Sequence, residues 1–110
     1  MSGDNLKTFS HGDRVIQKPA RLLITTLLAA VKEADFLYLQ RESGLTKGNL
    51  SSHLLKLEQA GYIQIQKTFH GRIPLIVVCV TRQGRMALEG YKKKMKGLLL
   101  AGEPARRKQD

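Results

Sequence analysis

The chain has 110 residues and a formal charge of +10, from 19 Lys and Arg against 9 Asp and Glu. That length builds one domain and excludes two independent cores, while the charge points to polyanionic partners, with acidic substrates and anionic membranes as the other classes it admits. The single cysteine, Cys79, excludes an internal disulfide framework or a CxxC metal site and agrees with a reducing compartment.

The opening segment MSGDNLKTFSHGD is polar and has no secretory apolar core, so residues 1–13 are expected to be a flexible lead on a soluble, cytoplasmic protein. No apolar run reaches the roughly 20 residues of a membrane helix. Charge is uneven along the chain: residues 1–45 carry +1, residues 46–81 carry +3 and residues 82–110 carry +6. On that count the first half is suited to packing, and positive field builds only from residue 46 onward.

A first helix is predicted from Pro19, whose fixed φ and missing N–H suit the first helical position. Leu23, Leu27 and Ala30, with Ile24 and Leu28 beside them, follow its 3.6-residue period and mark a broad buried face. A short second helix is expected from Phe36 to Ser43, with Asp35 at its start, Gly44 at its end and Leu37 turned inward. Leu45 then anchors the corner to a third helix.

Thr46 can cap that third helix, and Leu50, Leu54 and Leu57 recur at i, i+4 and i+7 as its buried stripe. Another side carries Asn49, Ser52, His53 and Lys56, which are short or flexible hydrogen-bonding side chains rather than an ordinary Glu and Lys ladder. Such a face suits the DNA major groove, where Asn pairs with adenine and Lys reaches guanine or phosphate. Lys47 and Thr46 join it at the helix start. A polar solvent face is the plain alternative for the helix taken alone.

The residues that follow favour DNA. Gly61 stops the helix, YIQIQKT alternates as a strand, FHGRIP supplies a glycine turn, and LIVVCV returns as a second strand with two apolar faces to cover. The connection is expected to gather Lys67, His70 and Arg72 at one hairpin tip, with Arg72 directed to a minor groove and the others to phosphate. The last helix is predicted to begin after Thr81, and Leu88, Tyr91, Met95 and Leu98 form a narrow seam along it, suited to a second helix.

The run from Leu50 to Ile63, LSSHLLKLEQAGYI, with Gly71-Arg72 and Thr81-x-x-Gly84-Arg85 after it, resembles the signature of MarR-like and ArsR-like winged-helix transcriptional regulators over roughly residues 14–90. The resemblance implies a mainly α fold with a small β-hairpin: a winged helix-turn-helix at 14–81, a dimerisation helix at 82–101 and a disordered basic tail at 102–110. It also implies a homodimer on double-stranded DNA, with two reading helices about 34 Å apart on a palindromic site. Metal-sensing ArsR relatives carry a cysteine pair near the second helix, and QRESG has none here. MarR-like wings place an aspartate two residues before the tip arginine, and here that residue is His70.

His11, His53 and His70 lack metal-ligand spacing, no nucleophile has a neighbouring base, and Cys79 reads as a small strand hydrophobe. No enzyme, cofactor or membrane role is expected, and any small-molecule effector is unspecified. The reading is therefore a homodimeric regulator of transcription that binds duplex DNA. A winged helix used for protein contacts in a larger complex is the runner-up, and an RNA-associated winged helix is the third reading.

Overall fold

The computed structural model describes residues 11–101. Along the chain it forms α1 (His11–Ile16), α2 (Pro19–Val31), β1 (Glu33–Asp35), α3 (Phe36–Ser43), α4 (Lys47–Gln59), β2 (Ile63–His70), β3 (Ile73–Val80) and α5 (Arg82–Ala101). The remaining parts of the expected flexible lead and basic tail lie outside the described residues. Residues 11–13, expected in that lead, belong instead to α1. Asp13 is almost buried and pairs with Lys94 of α5, and Ile16 is fully buried, so this short helix is packed down at two points.

Helix boundaries follow their local chemistry. Pro19 opens α2. The Asp35 carboxylate accepts the Tyr38 N–H at 2.8 Å to cap α3, and Thr46 Oγ1 accepts the Asn49 N–H at 3.1 Å to cap α4. At the start of α5, Thr81 Oγ1 accepts the Gly84 N–H at 3.0 Å and donates to the Gly61 carbonyl at 2.7 Å, tying the helix to the end of α4.

One apolar core joins the elements. Ile24 and Leu28 of α2, Leu39 of α3, Leu50, Leu54 and Leu57 of α4, Ile63 of β2 and Val78 of β3 form a single buried cluster. Full burial of each such side chain contributes roughly 1.5–3 kcal/mol. The α4 stripe is as expected, but two others are rotated. On α2 the buried residues are Ile24, Thr25 and Leu28, whereas Leu23 and Ala30 are exposed; Thr25 enters the core by donating its hydroxyl to the Arg21 carbonyl at 2.8 Å. On α3, Leu39 is buried and Leu37 is turned outward.

The sheet has three antiparallel strands in the order β1-β3-β2, not the two of a simple hairpin. After α2, Lys32 adopts φ 74° and ψ −51°, which swings Glu33–Asp35 onto the free edge of β3. Three residues without alternation carry no strand signal in sequence; β1 exists because that edge is open. The inner face of β3 meets the helices through Val78, whereas Ile73 at its far end is exposed, so the two-sided cover expected for this strand is incomplete.

Candidate nucleic-acid interface

The leucine stripe of α4 pins one side of the helix to the core, which forces the opposite arc into solvent. Lys47, Asn49, Ser52 and Lys56 are exposed there, and Thr46 is exposed at the cap. An added Cβ at Gly48 would meet nothing within 4 Å, so this part of the surface is open. Two residues of the arc carry no distinct signal in sequence. Ser51 lies one turn after Lys47, and Leu55 is half-exposed amid polar neighbours, a position suited to the methyl group of thymine.

His53 differs from its neighbours. It is only part-exposed, and its Nδ1 accepts from Arg21 Nε at 3.2 Å. Burial, followed by the charges of Arg21 and Lys18, holds its pKa below the usual 6.5. The neutral ring with an accepting Nδ1 carries its proton on Nε2, so His53 presents one N–H donor and no charge.

The hairpin tip is a two-residue turn, Gly71-Arg72, between the paired residues His70 and Ile73. Gly71 has φ +66° and Arg72 does not lie at positive φ, the pattern of a type II′ turn in which glycine takes the first central position. Lys67, His70 and Arg72 are all exposed, but they do not share a face. Residues three apart on a strand point oppositely. Lys67 falls on the side of Ile63 and Ile65, which face the helices, and His70 falls on the other side with Gln64 and Gln66. The expected basic cluster at the tip is thus split: Lys67 faces the α4 side, His70 faces away and Arg72 occupies the turn. Phe69 and Ile73, 69% and 66% exposed, add apolar surface beside them.

A second basic region lies on the other flank of α4. Arg14, Arg21 and Lys56, with Val15, Gln59 and Ala60, line a cleft of about 620 Å³. Its arginines come from the segment whose near-neutral charge count suggested packing alone. Averaging hid them, because the acidic residues that balance the count, among them Glu33, Asp35 and Glu42, belong to β1 and α3.

Along α5, Leu88 is 1% exposed and belongs to the chain's own core, which removes it from the expected interface seam. Tyr91 and Met95 are part-exposed and Leu98, Leu99 and Leu100 are exposed. Cys79 is half-buried in the central strand, and among the described residues no group of three or more His, Cys, Asp or Glu side chains could hold a metal ion. No helix among the described residues is long and apolar enough to cross a membrane.

A helical core with the capped, exposed helix α4 beside a β-hairpin defines a winged helix-turn-helix protein. Residues 20–99 match the family model of the winged helix DNA-binding domain, and the chain belongs to that family. It is 34% identical over 79 residues to an uncharacterized protein of Methanocaldococcus jannaschii, covering 71% of this chain and 85% of that one. The structure of a transcriptional regulator homologue from Pyrococcus horikoshii OT3 is similar at TM-score 0.79 and 30% identity, over 89% of this chain and 96% of the other. A MarR family regulator from Enterococcus faecalis V583, 18% identical, shares the fold at TM-score 0.67 over 98% and 89% of the two chains. The chain is therefore a winged-helix protein of the DNA-binding transcriptional regulator type.

Proposed function

We propose that the protein is a homodimeric transcriptional regulator that reads a palindromic site in duplex DNA. The observation that carries this is the exposed arc of α4, in which Asn49, Ser52 and Lys56 point away from a leucine stripe held in the core. In this reading Asn49 and Ser52 contact bases, as does His53 through its Nε2–H, and Lys56 at the edge of the arc reaches backbone phosphate. Lys47 and the Thr46 cap touch phosphate, while Arg72 enters the minor groove with Lys67 and His70 on the flanking backbone.

Dimerisation is supported by apolar surface on α5 that stays partly exposed. Tyr91, Met95 and Leu99, with Leu22 and Thr26 of α2 and together with Lys92 and Lys96, line a groove of about 420 Å³, and Leu98 and Leu100 of the same helix are exposed. Two copies joined there would hold two reading helices for the two halves of a symmetric site.

The test is selection of bound duplexes from a random pool, followed by titration of the winning sequence with wild type and the Lys56→Ala/Arg72→Ala variant. A palindromic consensus, salt-dependent affinity and weakened binding by the variant are expected. Binding that ignores salt, or is unchanged in the variant, refutes the reading. Exposed Phe69 and Ile73 at the hairpin tip favour a second reading, a protein-contact module in a larger complex. That reading requires negligible duplex affinity and a stable heteromer on native purification.

A further inference from the structure

The cleft on the flank of α4 away from the wing has the makings of a binding site in its own right. Of the six described residues that line it, three are cationic and none is acidic. Among the described residues no carboxylate pairs with Arg14, Arg21 or Lys56, so their mutual repulsion is unrelieved within this part of the chain. Arg21 is held at two points: Nη1 donates to the Val15 carbonyl at 3.0 Å and Nε donates to His53 Nδ1 at 3.2 Å. The rest of its five N–H donors remain for a ligand, and a guanidinium already fixed in place loses little entropy on binding one.

Lys56 belongs both to this cleft and to the exposed arc of α4. Lys47 and Ser51, by contrast, border the surface under the wing with Pro74 and Ile76. The reading helix is thus flanked by cations on both sides, from the wing on one and from α1 and α2 on the other.

We propose that Arg14, Arg21 and Lys56 form a second phosphate site, which grips a backbone phosphodiester of the duplex on the side of the reading helix opposite the wing. This rests on the DNA-binding reading above. An extended polyanion fits better than a small anion, because the charges are spread over three elements and run without a break into the reading face. In this arrangement His53 is a positioning residue: its ring nitrogen holds Arg21 toward the backbone.

The experiment uses the full chain with Arg14→Gln alone and with Lys18→Gln added, both at exposed residues outside the reading helix. Duplex affinity is measured from about 50 to 200 mM salt, where each phosphate left without its cation lowers the slope of log K against log salt by about 0.9. The expected result for Arg14→Gln is a slope reduced by about one and an affinity several-fold weaker on every sequence tested, with the selected consensus unchanged. An unchanged slope in the double variant, while wild type still binds DNA, overturns the second site and leaves the reading helix standing. A wild type that binds no duplex overturns the DNA reading itself. AMP serves as a free phosphomonoester probe, followed by NMR at Arg14, Arg21 and Lys56. Saturable AMP binding that duplex fails to displace also overturns the proposal.

Discussion

The Nε of Arg21 donates to the Nδ1 of His53 at 3.2 Å, joining α2 to α4 through a histidine that must be neutral to accept. The His53 pKa lies below 6.5, first through burial and then through Arg21 and Lys18. The unfolded chain therefore binds a proton more readily than the folded one between 6.5 and the lowered value. Stability is fully present above 6.5 and is lost as pH falls through the folded pKa. Thermal unfolding of wild type is expected to weaken between about pH 7.5 and pH 5 more than that of His53→Gln, whose amide oxygen still accepts from Arg21. Equal losses in the two proteins would show that His53 does not report this linkage.

Gly84 sits where α5 crosses the start of β2. A Cβ built there lies 2.2 Å from the Tyr62 carbonyl oxygen and 2.9 Å from Val80 Cγ2, and the first of these is backbone. Gly84→Ala is expected to cost about 1–3 kcal/mol in urea unfolding, despite the better helix propensity of alanine. An unchanged midpoint would mean that α5 can lift away from the sheet at no cost.

Lys32 holds φ 74° without being glycine. A positive-φ conformation of this kind costs a side-chain-bearing residue of order 1 kcal/mol, which the pairing of β1 with β3 offsets. Lys32→Gly is expected to raise stability by up to about 1 kcal/mol, net of the added freedom of the unfolded chain. A loss of stability would show that the lysine side chain contributes more than its backbone strain costs.

Leu88 and Leu98 fall on one seam in sequence and have different roles in the fold. Leu88 is 1% exposed and Leu98 is 36% exposed. Leu88→Ala is expected to cost about 2–5 kcal/mol of folding stability, and Leu98→Glu is expected to leave folding intact while shifting the mass in light scattering toward the monomer. If Leu98→Glu leaves the mass unchanged, the self-association surface lies elsewhere; if wild type is itself a monomer at micromolar concentration, the dimer proposal fails.

Much of the fold was legible because local chemistry and periodicity agreed. Thr46, Leu50, Leu54 and Leu57 defined the start and inner side of α4, Asp35 and Gly44 bracketed α3, and Gly71 defined the turn; each is an interaction within a few residues. The outward arc of α4 followed, since a helix with one buried stripe must expose the other side. The signals that misled were those that needed a partner. Leu23 and Leu37 have the spacing of buried residues, but α2 and α3 meet the core through Ile24, Leu28 and Leu39, and apolar residues all round a helix cannot say which side is covered. The hairpin residues Lys67 and His70 were grouped by proximity in sequence, and the two-residue period of the strand separates them.

The order of residues thus contained α4, its cap and the hairpin, because capping, helical period and turn chemistry act over a few positions. Only the tertiary structure decided that Glu33–Asp35 would be a strand, that Leu88 would serve the core, and that Arg14 and Arg21 would come to lie beside Lys56. Those outcomes depend on which surfaces meet. A basic cleft in which Lys56 lies 35 and 42 positions from Arg21 and Arg14 has no local energetic signature to betray it.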